Sequence, residues 1–241
     1  RGLFAAIEFV ADRLSALLVL VSAVLGLSVL IYQTSSADPA DESGMLHPLL
    51  QGLLAAVGGA FLTADLFNLY VWFELMLIVV LGLLVLGGER RHLDAAFKYF
   101  ALNMVGTLMF LAAVALLYGA TGQLNFAGLH AAVQRADINA AVPVYIALLA
   151  LAFLLKAAAF PLFFWLPASY HTLPAPLLAL IGGLVTKVGL YVLLRLFGQV
   201  FVAQPEVFHE VLGWIAVATM VSGVLGAAYH WDLRRILAFH I

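Results

Sequence analysis

The chain is 241 residues long, 65% hydrophobic and only 10% charged, with a mean hydropathy of +1.10, a net charge of -2 and no cysteine. Soluble domains are roughly 45–50% apolar and 25% charged, so most of this chain must have lipid as its solvent. The absence of cysteine excludes a disulfide framework or thiolate metal site, and without a basic cluster nothing points to nucleic acid as a partner.

The apolar runs are long, continuous and rich in Leu and Ala. Several approach the ~20 residues with which a helix rising about 1.5 Å per residue crosses a ~30 Å hydrocarbon core. Barrel strands would instead alternate over segments of about ten residues. The expected fold is therefore all-α, a polytopic transmembrane helix bundle.

In chain order, the first predicted span is Leu14–Tyr32, followed by an acidic, turn-forming solvent loop over Gln33–His47. Spans follow at Pro48–Ala64 and Phe67–Leu86, and Asp65 stands at the tight turn between them. A helix N-cap is the favoured role for Asp65 over ion capture. The next span is Phe97–Tyr118, and Thr121–Asn139 reads as a short amphipathic surface helix and turn. Spans at Pro143–Ala159, Pro176–Phe197 and Val211–Tyr229 complete the set, and a further apolar run begins at Ile236.

Residues 1–241 thus read as a single transmembrane domain of seven spans and the start of an eighth. The chain starts at Arg1 without Met and stops soon after Ile236, so it reads as a fragment truncated at both ends. Alternating spans place Arg90, Arg91, Lys98, Arg234 and Arg235 on one side and Arg1, Arg13, Arg135 and Arg195 on the other. The positive-inside rule then assigns the first group to the cytoplasm.

Three charges fall inside apolar spans: Glu74, Lys156 and Lys187. A lysine or acid at mid-membrane costs about 2.5–3.5 kcal/mol on insertion scales, and such residues usually mark ion or proton pathways. The competing reading is a buried pair that locks helices together. It is disfavoured because apolar replacements of such pairs are often neutral or stabilising. A lysine and a glutamate suit a proton path because burial and a nearby carboxylate act on an ammonium in opposite senses. Contact between Glu74 and Lys156 is expected on that reading, with Lys187 taking the proton onward.

Pro161 follows Lys156 by five residues, within the run Lys156-Ala157-Ala158-Ala159-Phe160-Pro161. It lacks a backbone donor and clashes with the preceding turn, so the helix should break just past Lys156. Discontinuous helices recur at transporter ion sites, although an ordinary proline kink is the alternative. His171, in the proline-rich stretch before the Lys187 span, is a candidate relay because imidazole titrates near pH 6.5. No histidine pair has zinc-site spacing and no phosphate-binding pattern is present, so neither a metal nor a cofactor is expected.

Three motifs resemble one family: Ala64-Asp65-Leu66-Phe67-Asn68-Leu69-Tyr70-Val71-Trp72-Phe73-Glu74; Lys156 to Pro161 with Trp165-Leu166-Pro167; and Thr186-Lys187-Val188-Gly189-Leu190-Tyr191. Together they are similar to the antiporter-type proton-translocating subunits, which include complex I membrane-arm subunits and Mrp cation/proton antiporters. The Asp65-to-Tyr70 run and His47-Pro48-Leu49-Leu50-Gln51 look most like the D-type component of Mrp antiporters. The resemblance implies a proton pathway of Glu74, Lys156 and Lys187, with His240 matching a position on a later helix. It also implies a sodium/proton antiporter subunit in a prokaryotic plasma membrane, working with other membrane subunits in the lipid bilayer. The alternative it leaves open is a proton-pumping subunit of a complex I-like dehydrogenase or hydrogenase. The Phe163-Phe164 pair departs from the family, many of whose members have a histidine beside the Trp-Leu-Pro motif.

Overall fold

A computed structural model describes residues 7–36, 44–135, 140–202 and 205–241, except for the side chains of residues 36 and 205–208. Arg1, residues 37–43 of the acidic loop and residues 136–139 of the surface segment lie outside the described residues. The described helices are α1 (Arg13–Ser36), α2 (Leu46–Leu62), α3 (Leu66–Val85), α4 (Arg90–Thr121) and α5 (Phe126–Val133). They continue with α6 (Val142–Lys156), α7 (Trp165–Tyr170), α8 (Ala175–Arg195), α9 (Pro205–Tyr229) and α10 (Leu233–His240). A π-helical turn, Leu196–Val200, extends α8.

Every predicted span is occupied by a helix. Those in α1, α3, α4, α8 and α9 are long and apolar enough to cross a membrane, whereas α2 and α6 are shorter, with 17 and 15 residues. Helix α4 starts well before the predicted Phe97, at Arg90, and its 32 residues extend about 48 Å. Its charged first turns project beyond the apolar layer and are held by a capping box. Glu89 and His92 exchange side-chain-to-backbone bonds across the helix start. A hydropathy window cannot register such a polar helical end.

The centre is built on α3, α4, α6 and α8, whose contact faces bury Phe73, Phe110, Phe153, Leu149 and Val188. Phe110 meets Phe153 edge to face at 4.7 Å between ring centroids. The outer helices α1 and α9 expose Leu17, Leu20, Leu27, Val217, Val221 and Leu225. An apolar exterior of this extent is what hydrocarbon surroundings require and what water would penalise.

The two ends of the bundle are chemically distinct. At one, Asp65 caps α3 by accepting from the Asn68 amide at 2.8 Å, the role expected from sequence. The Asn68 side chain in turn donates to Thr63 at 2.9 Å. At the same end the buried guanidinium of Arg195, on α8, pairs with Asp12 ahead of α1. Arg195 also donates to the Tyr191 hydroxyl at 2.7 Å, and that hydroxyl donates to the Phe61 carbonyl at 2.7 Å. Arg195 and its backbone partner Ser15 hold the Asp12 carboxyl well below the usual carboxylate range. At the other end, α7 packs against α4 and α10, which brings His171 near Lys98, Asp232 and Arg235.

Helix α5 lies in the predicted surface segment but is apolar apart from His130, and Leu129, Ala132 and Val133 are buried. It packs on the turn that follows α8, where the His130 ring nitrogen lies 3.2 Å from the Val200 carbonyl.

Candidate functional site

Lys156 is the last residue of α6, and Pro161 is the reason. A proline ring excludes the carbonyl four residues earlier from a helical position, here that of Ala157. The chain leaves the helix through Ala158, which has a left-handed φ of 54°, and a cis Phe160–Pro161 peptide, then resumes as α7 at Trp165. The expected break is therefore present, but α6 ends three residues before the predicted Ala159.

Broken backbone at membrane depth survives only if its polar groups find partners. The Leu155 carbonyl accepts from the Ala158 amide at 3.0 Å and from the Trp165 indole at 3.0 Å. The Phe160 amide donates to the Thr219 hydroxyl on α9 at 2.9 Å. Trp165 and Thr219 thus supply the bonds a continuous helix would have made.

Helix α4 provides the facing wall. Tyr99, Asn103 and Thr107 recur every four residues and share one buried stripe. The Lys156 ammonium, on a residue only 4% exposed, donates to Thr107 Oγ1 at 3.0 Å and lies 5.1 Å from the centroid of the Phe73 ring. A charged hydrogen bond contributes about 1.5–3 kcal/mol and a desolvated cation–π contact about 2 kcal/mol. Removing an ion from water costs several kcal/mol, so these contacts roughly offset the burial and leave no large surplus. A site so balanced can change protonation state when its surroundings change slightly. Lys156, Tyr99, Asn103, Phe73, Met76 and Val185 border a small cavity beside the amine.

Glu74 sits in the middle of α3, near enough to act electrostatically on Lys156 and Tyr99. The expected direct contact with Lys156 is not made: no ion pair joins them, and Glu74 Oε1 is buried with no hydrogen-bond partner among the described residues. The reason is geometric, since the lysine ends its helix and reaches to the α4 stripe instead.

Lys187 is half-buried on α8, where its ammonium donates to the Gly182 carbonyl at 2.9 Å, the Thr186 hydroxyl at 3.3 Å and the Ile241 carbonyl at 2.9 Å. It makes no bond to Lys156, although their helices touch at Gly189. A Cβ there would stand 2.9 Å from the Ala157 backbone nitrogen, so only glycine permits the approach. His171 is half-buried after α7, its Nδ1 2.8 Å from the Pro167 carbonyl. His240 is exposed at the end of α10, directly before Ile241, whose carbonyl accepts from Lys187. Among the described residues no group of three or more acidic or histidine side chains is placed to hold a metal.

Sequence reading missed Thr107, Asn103 and Tyr99, and it placed Trp165 in a motif without giving it a bonding role. The four-residue spacing of the first three inside an apolar helix was a legible signal. The partner of an indole N–H was not.

Apolar spanning helices wrapped around buried charge and a broken helix define a multi-pass membrane protein. The family described as NADH:quinone oxidoreductase/Mrp antiporter, transmembrane, matches residues 63–240, and the chain belongs to it. The D-type component of the Na(+)/H(+) antiporter of Bacillus subtilis is 40% identical over 98% of this chain and 48% of its own length. The Mrp complex of a Dietzia species contains a chain with 34% identity and a TM-score of 0.88, covering 98% of this chain and 44% of that one. An archaeal respiratory complex, the membrane-bound sulfane sulfur reductase, has a chain with 30% identity and a TM-score of 0.86 over 99% of this chain and 49% of its own. The chain spans about half the length of the curated relatives it matches.

Proposed function

We propose that this chain is the membrane-embedded part of a subunit of a multisubunit monovalent cation/proton antiporter, exchanging Na+ for H+ across a prokaryotic plasma membrane. It acts as a transporter subunit rather than an enzyme, and other membrane subunits of the complex are its partners. Residues 1–241 belong to one transmembrane domain, with the end bearing Lys98 and Arg235 facing the cytoplasm.

The observation that carries this reading is the Lys156 amine. It is buried at the end of a broken helix, with Thr107 Oγ1 as its hydrogen-bond partner and Glu74, whose Oε1 is unpartnered among the described residues, near enough to bias its charge. Glu74 modulates, Lys156 loads and releases, and Lys187 passes the proton onward. His171 and His240 serve the outer parts of the line, and Pro161 creates the break. The names of the curated relatives support sodium as the counter-ion.

The likeness to a chain of the archaeal respiratory complex favours one second reading, a proton pump powered by redox chemistry elsewhere in its complex. Sodium-induced collapse of a respiration-generated pH gradient in everted vesicles separates the two. With the full-length complex, the antiporter reading expects a sodium response that disappears in an assembled Lys156→Ala variant. A wild-type complex with no sodium response sinks it in favour of the redox-driven pump.

A further inference from the structure

One buried polar group has no place in the line of Glu74, Lys156 and Lys187. Tyr170, the last residue of α7, is fully buried, and its hydroxyl has no hydrogen-bond partner among the described residues. A phenylalanine would pack the same ring without the cost of burying an unpaired hydroxyl. Packing alone does not account for a tyrosine here.

Its surroundings do. The Tyr170 ring lies 6.3 Å from that of Tyr99, centroid to centroid, and Trp165 packs edge to face against both at 5.7 and 5.6 Å. Tyr99 borders the cavity beside the Lys156 amine and is close enough to Glu74 to feel its charge. Glu74 Oε1 is a second buried polar atom without a partner among the described residues. On the outer side, Tyr170 directly precedes His171, which stands half-buried at the end of the bundle near Lys98, Asp232 and Arg235. The two tyrosines therefore occupy the stretch between the His171 end and Lys156.

We propose that Tyr99 and Tyr170 carry protons, through intervening water, between the His171 end of the bundle and the Lys156 amine. This rests on the reading of the chain as a proton-carrying subunit. Each phenol accepts a proton from water on its outer side while releasing its own to water on its inner side. No charge is left on the ring. The last water delivers to the neutral Lys156 amine, which becomes an ammonium, and the Glu74 carboxylate balances it. A neutral carrier suits this stretch because a charge deposited in low dielectric is costly.

The test uses the full-length complex in everted vesicles. Tyr170→Phe and Tyr99→Phe are compared, singly and together, with wild type and Lys156→Ala for assembly, thermal stability and sodium-driven proton movement. Each single variant is expected to assemble and to slow exchange at least about tenfold, the double variant being little slower than the worse single because the steps are in series. Wild-type exchange by Tyr170→Phe, with unchanged or raised thermal stability, overturns the proposal. Should a phenylalanine variant fail to assemble, site-specific 3,5-difluorotyrosine keeps ring and hydroxyl while weakening the hold on the proton. The pH profile of exchange must then move, and an unmoved profile overturns the proposal equally. If Lys156→Ala itself exchanges at the wild-type rate, the underlying reading falls and takes this inference with it.

Discussion

The indole N–H of Trp165 donates to the carbonyl of Leu155, ten residues earlier, across the interruption between α6 and α7. This bond closes the gap from which Lys156 projects: the residue before the lysine is tied to the first residue of the next helix. Where Lys156 sits is therefore set jointly by Pro161, which ends α6, and Trp165, which anchors the start of α7.

Trp165→Phe keeps most of the ring's volume but orphans that bond. The Leu155 carbonyl keeps its bond from the Ala158 amide, so losing the indole bond costs about 0.5–1.5 kcal/mol. Thermal unfolding of the purified complex should fall accordingly, and exchange should drop further than assembly does. An unshifted unfolding temperature would show that the Ala158 amide alone satisfies the Leu155 carbonyl.

Thr107→Val preserves shape and removes the oxygen that receives the Lys156 ammonium. The loss of about 1.5–3 kcal/mol corresponds to roughly ten- to a hundredfold in the protonation equilibrium. Exchange measured in vesicles should fall by about that factor, and Thr107→Ser should restore most of it. Equal rates in all three would remove Thr107 from the mechanism.

Glu74→Gln retains the hydrogen-bonding shape while deleting the negative charge. Since no ion pair joins Glu74 to Lys156, its effect travels through space. The variant is therefore expected to assemble normally and to lose most exchange. A fully active Gln variant would show that the carboxylate's charge is dispensable.

Asp12→Asn addresses stability at the opposite end of the bundle. Arg195 is buried whereas the Asp12 side chain is 36% exposed, so losing the counter-charge should cost about 1–3 kcal/mol, less than the 3–5 kcal/mol of a fully buried pair. The carboxyl's folded pKa lies below its unfolded value of about 3.9. The pair's contribution is therefore complete above about pH 4 and is lost only as pH falls toward the folded value. Wild type and variant should differ by a constant amount between pH 5 and 8 and converge in stronger acid; a gap that changes across neutrality would contradict this.

Lipid makes helices readable from composition, which is why seven spans could be located and Glu74, Lys156 and Lys187 stood out against their surroundings. The break was readable because proline acts on its own backbone. What the chain could not announce were choices made across space. Lys156 selects Thr107 over Glu74, Arg195 selects Asp12 across 183 positions, and Trp165 reaches back to a carbonyl. Each depends on which faces of packed helices meet. The polar ends of α4 escaped for a different reason: a helix that outgrows the bilayer loses the hydrophobic signal before it loses its structure.

Gly189 follows Lys187 by two residues and Ala157 follows Lys156 by one, and at this point main chain rests on main chain. No side chain lies between them to bend or change rotamer. The contact works as a rigid bearing rather than a cushion. Any tilt of the interrupted helix that repositions one amine must press on the helix carrying the other, so the two lysines are mechanically geared.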